Sequence, residues 1–126
     1  MKAIHTDLAP APGGHYSQAV RAGQFLFISG QLPMTNTGKL VTGTAAEQTR
    51  QTLDNVKAIL EAAGGALKDL VQVTVYITSI EHWPEVNVTY QAYLGDSQIP
   101  PARAVVPVKE LHYGALVEIQ AIAHLS

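Results

Sequence analysis

Two ionisable residues stand inside otherwise apolar, strand-like runs: Arg103 in Pro-Ala-Arg-Ala-Val-Val, and Glu118 in Leu-Val-Glu-Ile-Gln-Ala-Ile-Ala. A charge in such surroundings needs a partner if it is buried. A guanidinium presents planar, paired donors that match a carboxylate, and a half-buried glutamate with a raised pKa can hold a water and exchange protons near neutral pH. Together the two suit a small carboxylate-bearing substrate. The bland alternative is that they pair with each other across neighbouring strands and do nothing else, and pattern alone favours it. Strand alternation puts Glu118 and Gln120 on one face and Val117, Ile119 and Ala121 on the other, so that one face is polar enough for a pocket or a subunit interface.

Tyr16, Ser29 and Asn87 are weaker signals read singly. Each can hydrogen-bond a ligand, but a tyrosine beside a strand more often packs and a serine before glycine more often turns the chain. Asn87 lies among the helix positions Val86, Val88 and Tyr90, where its amide needs a partner in a cap, an interface or a ligand.

Other chemistries find no support. The five histidines show no HxH, HxxxH or HExxH spacing, so no metal site is expected. Cysteine is absent, which removes disulfides, thiolate nucleophiles and cysteine metal sites together. No phosphate-binding G-x-x-x-x-G-K-[ST] or G-x-G-x-x-G occurs, and no serine elbow. Eight Lys and Arg against ten Asp and Glu give a net charge of −2, too little positive field to recommend nucleic acid or an anionic membrane. The segment Met1 to Asp7 has no apolar core of a secretory signal, and no run approaches the roughly 20 apolar residues of a membrane span. The cytoplasm is the default expectation.

Elements must position these residues, and 126 residues, 47% of them hydrophobic, suffice for one core and hardly for two. The run from Ala19 to Ile28 reads as two strands about a turn at Ala22-Gly23, broken by Ser29-Gly30. Gln31 to Gly43 is punctuated by turn signals. Thr44-Ala45-Ala46-Glu47 fits a capping box, after which Leu53, Val56, Leu60 and Ala63 form an apolar stripe that Gly64-Gly65 terminates. Val71 to Ile77 alternates as a strand, with Val71, Val73, Val75 and Ile77 on one face. A second helix is predicted from about Glu81 to Leu94, with Trp83, Val86, Tyr90 and Leu94 as its stripe and Pro84 in its first turn. After a loop from Asp96 to Pro101, Arg103 to Val108 and Leu116 to Ala123 are the last strands. Pro107 marks the first of these as an edge or bulged strand. The order ββαβαββ predicts an α+β fold: a mixed sheet with both helices on one face.

The chain also resembles, over nearly its full length, the RidA (YjgF) family of reactive intermediate deaminases. The matching stretches are Ala11-Pro12-Gly13-Gly14-His15-Tyr16-Ser17-Gln18-Ala19, Ile28-Ser29-Gly30-Gln31-Leu32-Pro33, Gln51-Thr52-Leu53-Asp54-Asn55-Val56-Lys57-Ala58-Ile59-Leu60, Val86-Asn87-Val88-Thr89-Tyr90, Pro101-Ala102-Arg103 and Leu116-Val117-Glu118-Ile119. Six such stretches in the right order are far more specific than any one. The resemblance implies a single domain over residues 1–126 with a chorismate-mutase-like fold, assembled as a homotrimer with a ligand site in each cleft between subunits. It implies that Arg103 clamps a substrate carboxylate and Glu118 positions water, while Tyr16, Ser29 and Asn87 match positions that line or support the cleft. The chain departs from the family pattern at Val105, where cysteine is frequent, at His15, where proline is usual, at His112-Tyr113, where proline-lysine is common, and at Gln120, a frequently acidic position.

The reaction so implied is water addition to the imine of a 2-aminoacrylate-like intermediate, with loss of ammonia, and it calls for no cofactor and no metal. Two other functions are claimed for relatives: endoribonuclease, and a non-enzymatic ligand-binding or holdase-like trimer. A deaminase acting on an aminomuconate-like intermediate would differ only in substrate.

Overall fold

A computed structural model describes residues 1–96 and 99–126, so the predicted loop from Asp96 to Pro101 falls at Ser97 and Gln98 outside the described residues. Six strands form one sheet: β1 (Lys2–Ile4), β2 (Ala19–Ala22), β3 (Phe25–Gln31), β4 (Leu70–Ile77), β5 (Ala102–Pro107) and β6 (Val117–His124), in the spatial order β1-β2-β3-β6-β4-β5. Among the described residues only the β4–β5 pair is parallel, which makes the sheet mixed as expected. Helices α1 (Ala45–Ala62) and α2 (Trp83–Leu94) connect the strands. None of the described helices is long and apolar enough to cross a membrane.

Local chemistry explains the boundaries. Gly23 adopts φ +62° in the β2–β3 turn, a left-handed conformation open to glycine at little cost. Thr44 caps α1 by accepting a hydrogen bond from the Glu47 amide (3.2 Å). The expected reciprocal half of the capping box is replaced: the Thr44 hydroxyl donates to the Glu47 carboxylate (3.4 Å), leaving the threonine amide out of the exchange. At the other end Gly64, at φ +84°, turns the chain so that the Gly65 amide reaches the Leu60 carbonyl (2.8 Å). A short 3₁₀ turn at Ile80–His82 leads into α2, whose Pro84 sits in the first turn where its missing N–H costs nothing.

The structure differs from the sequence reading at four places. β1 was not foreseen, because Lys2-Ala3-Ile4 is too short to show a period. Val71 is exposed rather than inward: a bulge between Leu70 and Gln72 makes Val71 the extra residue, and Leu70 takes the buried place. Ser29-Gly30 does not end the second strand; β3 continues to Gln31 through a register shift. Trp83 also differs from its stripe-mates, remaining 39% exposed while Val86, Tyr90 and Leu94 are buried.

Leu53, Val56, Ile59 and Leu60 of α1 pack with Val86, Tyr90 and Leu94 of α2 against Leu26, Ile28, Val73, Val75, Ile77, Val117, Ile119 and Ala121 of the sheet. Fully burying such a side chain contributes on the order of 2 kcal/mol. A 2.5 Å hydrogen bond from the Tyr93 hydroxyl to Asp54 ties the two helices at their outer edge. The opposite sheet face carries Val20, Phe25, Phe27, Thr74, Tyr76, Ala104, Val106, Glu118, Gln120 and Ile122, as the strand registers require. Phe25, Phe27 and Val106 are 45%, 47% and 36% exposed there, so this face is largely without a covering layer.

Candidate active site

The bulge in β3 places Ser29 and Gly30 beside β6, at a cavity of about 590 Å³ whose wall includes Tyr16, Ser29, Gly30, Leu32, Tyr113 and Glu118. Glycine at position 30 has a direct geometric reason. A methyl group there would lie 3.1 Å from Glu118 Cδ, 3.4 Å from Cγ, and closer still to Oε2. Only the bare backbone lets the carboxyl settle against β3.

Buried polar side chains hold the rest of the wall. Gln18, 1% exposed, donates from its amide nitrogen to the carbonyls of Thr6 (3.0 Å) and Pro10 (2.9 Å) and accepts from the Thr6 amide (2.8 Å). That fixes the segment before Tyr16. The Ser29 hydroxyl donates to the Ser17 carbonyl (2.6 Å), and the Ser29 amide donates to the Gln18 carbonyl (3.0 Å). The Tyr16 hydroxyl accepts from the Gly13 amide (3.1 Å), which curls residues 13–16 into a turn over the cavity. From α1, Asn55 donates to the carbonyls of Leu32 (3.1 Å) and Met34 (2.8 Å) and pins the irregular segment after β3.

Burial pushes the Glu118 carboxyl above the usual range of a glutamate, and the neighbouring His112 works against that by favouring the charged form. The next residue, Tyr113, lies at φ +62°, outside the range a side chain usually accepts, and Gly114 follows at φ +74°. This turn presents the Tyr113 ring to the cavity, with the two ring centroids of His112 and Tyr113 5.9 Å apart.

Arg103 and Asn87 meet elsewhere. Arg103 Nη1 donates to Asn87 Oδ1 (2.9 Å), and the guanidinium carbon lies 4.8 Å from the centroid of the Tyr90 ring. Among the described residues no carboxylate lies within ion-pair distance of Arg103. Direct pairing of Arg103 with Glu118 is overturned for two reasons. β5 and β6 are not neighbours, since β4 lies between them. In register, Arg103 stands beside Val73 on the helix-covered face, while Glu118 stands beside Tyr76 on the opposite one.

Of the five residues singled out from the sequence, the structure thus brings Tyr16, Ser29 and Glu118 to one cavity and Asn87 and Arg103 to a second cluster. Gly30 and Tyr90 were missed as parts of these arrangements, whereas Tyr113 stood out only as a departure from the family pattern. Gly30 carries no periodic signal, and Tyr90 falls on the apolar stripe of α2, where it reads as core.

A mixed sheet backed by two helices, with a half-buried carboxyl on its open side and, at its edge, a guanidinium that no described carboxylate pairs, defines a small α+β protein with a polar cavity. Comparison with known proteins narrows that class. Residues 6–125 match the family model described as endoribonuclease L-PSP, and the chain belongs to this family, that of the RidA and YjgF proteins. It is 49% identical over 122 residues to a RutC family protein of Pyrococcus horikoshii, covering 96% of this chain and 95% of the relative. It is 42% identical over 123 residues to the 2-iminobutanoate/2-iminopropanoate deaminase of Escherichia coli, covering 97% and 96%. Among solved structures, E. coli TdcF with bound serine superposes with a TM-score of 0.95 at 35% identity, covering 100% of both chains. The E. coli YjgF gene product superposes with a TM-score of 0.93 at 41% identity, covering 98% of each.

Proposed function

We propose that this chain hydrolyses imines of small 2-amino acids, such as the imine tautomer of 2-aminoacrylate, to 2-keto acids and ammonia. The observation that carries the reading is the Glu118 carboxyl, seated on Gly30 at the cavity wall with a raised pKa and no ion-pair partner among the described residues. The relative named 2-iminobutanoate/2-iminopropanoate deaminase and the serine-bound TdcF structure support the substrate class.

Glu118 in its anionic form takes a proton from water as the oxygen adds to the imine carbon. Glu118 passes that proton to the imine nitrogen, and a neutral tetrahedral carbinolamine results. Glu118 then takes the hydroxyl proton and delivers it to that nitrogen as the carbon–nitrogen bond breaks, which leaves a keto acid, ammonia and the carboxylate in its starting form. Such imines hydrolyse unaided, so the task is one of placement, each tenfold gain corresponding to about 1.4 kcal/mol of barrier. Arg103 clamps the substrate carboxylate through the donors that Asn87 leaves free. Tyr16 and Ser29 shape the wall.

Within one chain Arg103 and Glu118 lie on opposite faces with β4 between them, which argues for a site shared between chains. In this reading a second copy supplies the guanidinium. The uncovered sheet face, with Phe25 and Phe27 half exposed, is the surface on which copies would pack, and the homotrimer implied by the resemblance closes such a contact into a ring. RNA is not favoured as a substrate: eight Lys and Arg against ten Asp and Glu form no basic groove.

The test generates 2-aminoacrylate with a serine dehydratase and follows imine decay with wild type, Arg103→Ala and Glu118→Gln. Acceleration by wild type alone is expected. Decay no faster than in buffer would overturn the reading for this substrate.

A further inference from the structure

Arg103 is charged and exposed, and among the described residues only neutral groups hold it: the side-chain carbonyl oxygen of Asn87 and the ring of Tyr90. Tyr90 itself is only 6% exposed, and its buried hydroxyl has no hydrogen-bond partner among the described residues. A tyrosine used for packing alone gains nothing from that hydroxyl, and phenylalanine would fill the same volume. What the ring does supply is a face of negative potential under a cation. Such a face attracts the guanidinium without neutralising it, whereas a carboxylate in the same place would compete with the ligand for the same donors.

We propose that Tyr90 is a positioning residue: its ring, with Asn87 Oδ1, forms a neutral cradle that fixes the Arg103 guanidinium and keeps its remaining N–H groups free for a substrate carboxylate. The inference rests on the proposed use of Arg103 as the carboxylate clamp. Asn87 fixes one nitrogen of the fork, and the ring fixes the plane in which the fork lies. Neither carries charge, so the full positive charge of Arg103 remains available to an anion.

The experiment compares Tyr90→Phe with Tyr90→pentafluorophenylalanine, two rings of nearly equal shape and opposite facial charge. The fluorinated ring is expected to raise KM for the imine about five-fold, equivalent to about 1 kcal/mol. kcat should stay within about two-fold, and the Phe variant should retain the wild-type KM. A packing role alone would leave the two variants alike, and equal KM values overturn the proposal. Titration with pyruvate and with its neutral amide separates this outcome from failure of the proposed function. Pyruvate alone should weaken with the fluorinated ring, even if no imine is hydrolysed. Equal weakening of both ligands, or of neither, also overturns the cradle.

Discussion

Gly30→Ala probes the seat of the Glu118 carboxyl. The added methyl carbon would stand 3.1 Å from Cδ and 3.4 Å from Cγ of Glu118, with Oε2 nearer still. Ordinary contact between carbon atoms begins at about 3.5–4 Å, so the carboxyl carbon must retreat by about 0.5 Å and its oxygen by about 1 Å. A displacement of that order at a reacting group corresponds to about 100-fold in rate, or about 2.7 kcal/mol of barrier. The fold has little reason to suffer. Gly30 is not among the glycines with positive φ, and alanine removes freedom chiefly from the unfolded chain, an effect of about 0.4–1 kcal/mol in favour of folding. The assay is kcat/KM for imine hydrolysis with thermal unfolding measured alongside. A variant that keeps its melting temperature and retains kcat/KM within about three-fold of wild type would refute the argument that the bare backbone of Gly30 places Glu118.

Glu118→Gln should abolish most of kcat and yet stabilise the protein at neutral pH. A carboxyl whose folded pKa is raised binds more protons folded than unfolded, so its contribution to stability is present below the unfolded pKa and lost as pH rises through the folded one. The difference in melting temperature between variant and wild type should therefore shrink on acidification below the ordinary glutamate range; a variant less stable than wild type at neutral pH would contradict this. Phe27→Glu puts a charge on the uncovered sheet face and should yield a single chain by light scattering, with imine decay falling to the rate in buffer although Arg103 and Glu118 are intact. Full activity in a demonstrated monomer would remove the composite site.

The sequence made the alternation of β6 legible because its inward positions are apolar without exception, and the buried Val117, Ile119 and Ala121 leave Glu118 and Gln120 on the other side. Caps and glycines located α1 to within a residue at each end, since those signals act over one helical turn. Pro107 correctly marked β5 as an edge. Val71 escaped because a bulge changes the phase of a strand without leaving any mark in residue type. The relation of Arg103 to Glu118 was harder for a different reason. Nothing local tells two successive strands that an earlier one, β4, will insert between them, and that insertion decides whether two charges meet. Tyr90 shows a third limit, in which one side chain satisfies the core with its edge and a cation with its face.

The placement of Arg103 and Glu118 on opposite faces of one sheet has a genetic counterpart. If each site takes its guanidinium from one subunit and its carboxyl from the next, two chains that are each inactive can repair one another. Coassembled from equal amounts, Arg103→Ala and Glu118→Gln chains would form sites at random, and about one site in four would draw both intact groups from different subunits. Activity should then appear on mixing, up to roughly a quarter of wild type, from two preparations that have none alone. The unit on which function is inherited would be the contact between chains rather than the chain.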